Sequence, residues 1–255
     1  MLSKKKLVLI LLLTLLFWAE NGSAQWSSYK IYKKDTINRV DKKGLKQGTW
    51  MKFYDSGKVL SSGTFKNNNK QGTFKYFYES GKLKGTAEFN ESGSQCLFSG
   101  YHENGKPEAI GNYWNEKKDS VWRYFNPDSV LISIENYKKG IADGVWRTFY
   151  GSTKKMVQMI TYKNGKKTGP MKEYFEDGHV KFDCILVDGS IEGPTKFNYV
   201  DGTTHYEGSY IHGLKDGIWK TYDEYGKPQK TEVYNLGELI EDKTKTAKDS
   251  ALQKK

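Results

Sequence analysis

The chain repeats itself. With Gly48 of KQGTWMKFYDSGK taken as position zero, equivalent residues stand at Gly72, Cys96, Ser120, Gly144, Gly169, Gly193 and Gly217. The spacing is 24 residues, apart from one step of 25 between Gly144 and Gly169. A period of this length marks an array of small units, each burying its apolar face against its neighbours. Three aromatic columns keep the same register. Position two carries Trp50, Phe74, Phe98, Trp122, Trp146, Met171, Thr195 and Trp219, and position five carries Phe53, Phe77, Tyr101, Phe125, Phe149, Tyr174, Asn198 and Tyr222. A third column near the repeat end reads Phe65, Phe89, Tyr113, Tyr137, Tyr162, Leu186, Tyr210 and Tyr234.

Each unit reads as a β-hairpin. Nine residues after position zero come DSGK at Gly57, ESGK at Gly81, ENGK at Gly105, EDGH at Gly178, VDGT at Gly202 and EYGK at Gly226. A glycine after a small polar residue supplies the positive φ of a tight turn. The flanking segments, such as TWMKFY and KVLSSGTF, have the length and the aromatic and β-branched content of paired strands. A second glycine, four residues before position zero, recurs at Gly44, Gly140, Gly165, Gly189, Gly213 and Gly237 and marks the link between hairpins. The structural turn glycines are therefore assigned as Gly48, Gly57, Gly72, Gly81, Gly105, Gly144, Gly169, Gly178, Gly193, Gly202, Gly217 and Gly226. The one extra residue must lie between Phe149 and Tyr162, around GSTKK, where a widened turn or bulge absorbs it.

Units such as GTWMKFYDSGKVLSSGTFKNN, GVWRTFYGSTKKMVQMITYKNGKKTG and GIWKTYDEYGKPQKTEVYNLG resemble the bacterial variant of the MORN repeat, including chains of the YwqK-type, antitoxin-like group. The resemblance covers residues 38–237. Repeats three and four depart from the pattern, with Cys96 and Ser120 at position zero and PDSV in place of the glycine turn. The resemblance implies an all-β fold: an elongated single-layer antiparallel sheet of about eight hairpin repeats that mediates contacts and carries no chemistry.

The ends read differently. Lys4, Lys5 and Lys6 precede the apolar run Leu7 to Ala19, which is too short for the ~20 residues a membrane span needs. Gly22-Ser23-Ala24 then offers a small-x-small cleavage site, so residues 1–24 read as a signal peptide and the chain as periplasmic, surface-exposed or secreted. An uncleaved anchor is the other reading. Residues 25–37 form an N-terminal cap segment, 38–237 the repeat array and 238–255 a polar C-terminal tail. Cys96 and Cys184 lie three or more hairpins apart in a linear array, too far to bridge.

Removing residues 1–24 leaves 38 basic and 29 acidic side chains (41 less three Lys, 30 less one Glu), a balance of +9. Arg39, Arg123 and Arg147 are the only arginines, whereas readers of nucleic acid favour arginine's planar fork. The composition thus points away from nucleic acid and toward a protein or an anionic envelope component, with peripheral membrane contact open. His102, His179, His205 and His212 fall at four different repeat positions and share no metal-binding spacing. No nucleophile elbow or phosphate-cradling loop is present, so no catalytic residue, cofactor or metal is expected.

The aromatic columns remain as the candidate site. Alternation sends positions two and five to opposite faces of the sheet. Both columns can serve only to stack repeat on repeat; alternatively, Phe53, Phe77, Tyr101, Phe125, Phe149, Tyr174 and Tyr222 form an interaction ladder. The reading is an exported, non-enzymatic scaffold binding a protein or envelope component. The alternatives are a neutraliser of a toxic partner and an aromatic binder of glycan or lipid. If residues 1–24 are a cleaved signal, mass spectrometry of the protein from its native host will show a chain starting at Gln25. An intact Met1 in the membrane fraction contradicts this.

Overall fold

A computed structural model describes residues 25–244. Residues 1–24, read above as a signal peptide, and tail residues 245–255 lie outside the described residues. The described chain is antiparallel β and divides after Ser94 into two compact units. The first holds β1 (Trp26–Tyr32), β2 (Asp35–Asp41), β3 (Lys46–Phe53), β4 (Val59–Lys66), β5 (Asn69–Phe77) and β6 (Leu83–Phe89). Each strand pairs antiparallel with the next.

The second unit begins with β7 (Gln95–Tyr101), β8 (Pro107–Trp114), β9 (Lys117–Phe125), β10 (Leu131–Lys138), the two-residue β11 (Ile141–Ala142) and β12 (Gly144–Phe149). It continues through β13 (Met156–Lys163), β14 (Lys166–Tyr174), β15 (Val180–Val187) and β16 (Ser190–Asn198). It ends with β17 (Thr204–Ile211), β18 (Leu214–Tyr222), β19 (Pro228–Asn235) and β20 (Glu238–Asp242). Here too the strands form a meander of hairpins, with β10 meeting both β11 and β12.

The turn chemistry alternates. Inside each repeat a three-residue loop closes the hairpin, as where Tyr54 N–H donates to Lys58 O at 2.8 Å and Gly57 N–H to Tyr54 O at 2.9 Å. Gly57 there has φ +79°, the left-handed residue that such a loop requires. In PDSV, Ser129 takes that conformation, with φ +66°. The extra residue of the long repeat also falls in this loop, where Tyr150 N–H reaches Lys155 O, one residue farther on. Between repeats, two-residue loops such as Asn164–Gly165 and Asp188–Gly189 have both φ values positive, the type I′ geometry that matches strand twist.

One assignment is corrected. Gly48, Gly72, Gly144, Gly169, Gly193 and Gly217 are not turn residues; they lie within strands. Their left-handed φ, +60° at Gly72, bends a strand that then continues, and the partner register slips opposite, as between Ser62 and Thr64. This is a β-bulge. Ser120 keeps the same conformation at φ +59°, whereas Cys96 pairs regularly with Tyr113. The array also runs past residue 237, because Glu238–Asp242 pairs with β19. At the N-terminus, residues 26–41 form a hairpin of their own, capped where Arg39 stacks 4.6 Å from the Trp26 ring and fills the space above Gly48.

In each unit the core is a row of side chains running across the strands on one face. Position two pairs across the hairpin with the residue at position fifteen, or sixteen in the long repeat: Trp50 with Gly63, Phe74 with Ala87, Phe98 with Gly111, Trp146 with Ile160, Met171 with Cys184 and Thr195 with Gly208. The row alternates large and small through Trp50, Gly63, Phe74 and Ala87 in the first unit and through Phe98, Gly111 and Trp122 in the second. A Cβ on Gly63, Gly111 or Gly208 would collide with the ring of Phe74, Trp122 or Trp219 from the next repeat. Trp122 is 1% exposed as a result. Three indoles of the second unit also find a backbone carbonyl: Trp122 Nε1–H donates to Asn112 O at 3.0 Å, Trp146 to Asn136 O at 2.9 Å and Trp219 to Ser209 O at 3.1 Å, whereas Trp50 Nε1 in the first unit has no such partner.

Cys96 and Cys184 are both buried, on β7 and β15, and are not bonded to each other. Burial raises the Cys184 thiol to about 11, which keeps it protonated and unreactive at neutral pH. Alkylation of the native protein at pH 8 is therefore expected to leave Cys184 unlabelled, and unfolding without reductant to expose two thiols. A mapped Cys96–Cys184 bridge contradicts this arrangement.

Candidate interaction face

The ring face is closed. Its rings meet edge-on in unbroken runs, Trp50–Phe65–Phe74–Phe89 with centroids 5.6, 5.3 and 5.3 Å apart, and Phe98–Tyr113–Trp122 at 5.9 and 4.8 Å. Such pairs contribute roughly 0.5–1.5 kcal/mol each beyond area burial. Lysines cover them. Lys46 lies 4.8 Å from the Trp50 ring, Lys70 5.1 Å from Phe89, Lys118 5.0 Å from Trp122, and Lys215 4.4 Å from Trp219. Each of these lysines stands two residues before position zero, so part of the lysine excess belongs to the repeat.

Glu135 interrupts the row opposite Trp122, as Glu232 does opposite Trp219, where the remaining repeats have a small or apolar residue. It is held by Tyr137 Oη–H at 2.6 Å and Ser133 Oγ–H at 3.4 Å. Burial first, and Glu135 next, push the Tyr124 and Tyr137 hydroxyls far above their ordinary range. Lys118 Nζ donates to Tyr124 Oη, so this polar island is internally satisfied.

The seven residues of the proposed ladder, Phe53, Phe77, Tyr101, Phe125, Phe149, Tyr174 and Tyr222, are all half-buried at strand ends. Several are tied to the preceding repeat by a column that the sequence reading passed over. Tyr54 Oη–H donates to Phe77 O at 2.8 Å, Tyr150 to Tyr174 O at 3.0 Å and Tyr199 to Tyr222 O at 2.9 Å, while His102 Nε2 lies 2.9 Å from Phe125 O. Position five is therefore a seam between repeats before it is a surface. The signal for this was present, since a tyrosine recurs at position six in Tyr54, Tyr78, Tyr150 and Tyr199.

Opposite the ring face, β14 to β18 present something else. Lysines at position three and acids at position fourteen pair in strict alternation: Lys172 with Asp183, Asp183 with Lys196, Lys196 with Glu207, and Glu207 with Lys220. Lys172 Nζ is 2.8 Å from Asp183 Oδ2 and Lys196 Nζ 3.4 Å from Glu207 Oε2. The hydrogen bond to Asp183 raises the Lys172 pKa. Exposed cross-strand pairs of this kind contribute only about 0.2–1 kcal/mol, so they tune register and surface rather than hold the fold. Beside the charges, Ile185 is 43% and Ile218 52% exposed. Together with Asp183, Pro194, Lys196 and Glu207 they line a shallow groove of about 730 Å³. Among the described residues, no three His, Cys, Asp or Glu side chains converge as metal ligands would.

The register has counterparts in known proteins. The MORN repeat variant family matches residues 46–67, 70–91, 97–115, 167–185 and 215–236. A comparison with curated proteins gives no match. Two solved TarM structures, one of the S. aureus protein, align at 15% and 14% identity with TM-scores of 0.28, over 38% of this chain and 19% of that chain. The TcdB2–TccC3–TEV structure aligns at 12% identity and TM-score 0.24, over 82% of this chain and 12% of that chain. This chain thus spans under a fifth of those proteins, and at such TM-scores the likenesses carry no argument. What the comparisons establish is the repeat: five hairpins of this chain match the MORN repeat variant, all in the register set by Gly48.

Proposed function

We propose that this chain is an exported, non-enzymatic repeat scaffold that holds a protein partner on the face of β14 to β18 opposite the rings. The observation that carries the reading is the pairing of exposed Ile185 and Ile218 with the alternating ladder Lys172, Asp183, Lys196, Glu207 and Lys220. Exposed apolar side chains supply the driving force for association, and fixed charges of both signs select the partner and its orientation. A polyanion would find every second charge against it, which favours a protein over an anionic polymer. Stacking on a glycan has less support, because the rings are half-buried or buried and four lysines already lie over them. A neutraliser of a toxic partner would use the same face; only the partner's identity separates the two.

The test is a comparative pull-down from the native envelope fraction. Ile185→Asn combined with Ile218→Asn is expected to lose the captured partner while keeping the thermal midpoint within a few degrees. Tyr225→Ser, on a loop outside the groove and 86% exposed, is expected to retain it. Equal capture by all three proteins would remove the groove from consideration.

A further inference from the structure

The two terminal strands carry opposite charge. Among the described residues, β1 is paired on one side only, with β2, and β20 on one side only, with β19. Such edges present free backbone donors and acceptors, and proteins normally blunt them. Along β1 and its loop, Lys30, Lys33 and Lys34 are exposed, and with them Tyr29 at 56% and Ile31 at 62%. Along β20, Glu238 and Glu241 are exposed, and with them Leu239 at 49% and Ile240 at 62%. Lys243 lies 3.8 Å from Glu241 and offsets only part of that acidity.

From this we infer that β20 of one copy pairs edge-to-edge with β1 of a second copy. The charges select this arrangement over its rivals. Two β1 edges would bring lysines together, and two β20 edges would bring acids together; like charges across a strand pair are destabilising. Only the unlike pairing brings Lys30, Lys33 and Lys34 toward Glu238 and Glu241 while also covering Tyr29, Ile31, Leu239 and Ile240. The five residues of β20 extend about 17 Å, and the seven of β1 are long enough to match them. The contact is heterologous, each copy offering a different edge, so it leaves one of each edge free and propagates.

Sedimentation velocity on the mature chain, across protein concentration and salt, reads this directly. Wild type is expected to form dimers and higher species at low ionic strength, and to lose them as salt shortens the screening length from about 30 Å to about 3 Å. Glu238→Lys with Glu241→Lys makes both edges basic, and Lys30→Glu with Lys33→Glu and Lys34→Glu makes both acidic. Each variant alone is expected to weaken association at least about tenfold, the scale of electrostatic selection at an interface. An equimolar mixture of the two restores it, because basic edges then meet acidic ones. Misfolding cannot produce that rescue. A wild type that stays monomeric throughout, association indifferent to both reversals, or a mixture that stays monomeric each overturns the inference.

Discussion

A ring laid flat on a small residue of the neighbouring strand is the contact on which the rest of this architecture depends. Within each hairpin meander, apolar surface must be buried by the strands' own side chains, and two adjacent large residues would collide where two adjacent small ones would leave a void. Alternation of size along the row resolves both. Gly63 lies beneath Phe74, Gly111 beneath Trp122 and Gly208 beneath Trp219, and in the stretch around Met171, Cys184 and Thr195 intermediate residues fill the same space more evenly. Close packing of this kind leaves no slack for an added methyl group. It also explains why the repeat is so regular in length. The ring of one unit must arrive over the small residue of the unit before it, and the indole N–H must reach a particular carbonyl.

The two faces divide the work. On the ring face, lysines two residues before position zero lie across the aromatic surface, adding a cation–π attraction while keeping their ammonium groups in solvent. Tyrosines at position six bind backbone carbonyls of the next repeat and hold the loop ends in line. With packing settled there, the opposite face of β14 to β18 is free to carry charge in a pattern that stability does not require. The ends follow the same rule. Arg39 closes the start of the first unit's row over Gly48, while in the second unit the buried Glu232 is paired with Lys230 at 2.5 Å.

Much of this was legible in the residues. The 24-residue period, the hairpin loops at Gly57 and its equivalents, the link glycines and the location of the extra residue near GSTKK are all local properties of the chain. The role of position zero was harder to read, because a left-handed glycine in a bulge and one in a turn look alike in sequence; only strand pairing separates them. Position five drew attention as an aromatic column, yet its surroundings depend on position six of the preceding repeat, a contact between residues 23 or 24 apart. The strand at Glu238–Asp242 was read as tail because ELIED lacks the aromatic that marks the other units, although pairing with β19 needs only backbone. The charge ladder was present as lysines at position three and acids at position fourteen, but it forms one row only once the register is known.

The central claim is that the ring of Trp219 and the bare backbone of Gly208 are one interaction. A double-mutant cycle measured by urea unfolding tests it most directly. In the presence of Trp219, Gly208→Ala is expected to cost about 1–3 kcal/mol, the scale of overpacking. In a Trp219→Ala background the space is empty, and the same substitution should be neutral or stabilising by up to about 1 kcal/mol, because alanine loses less backbone freedom than glycine on folding. An identical loss in both backgrounds would show that the glycine is needed for some other reason, and that ring-on-glycine packing does not hold the repeats together.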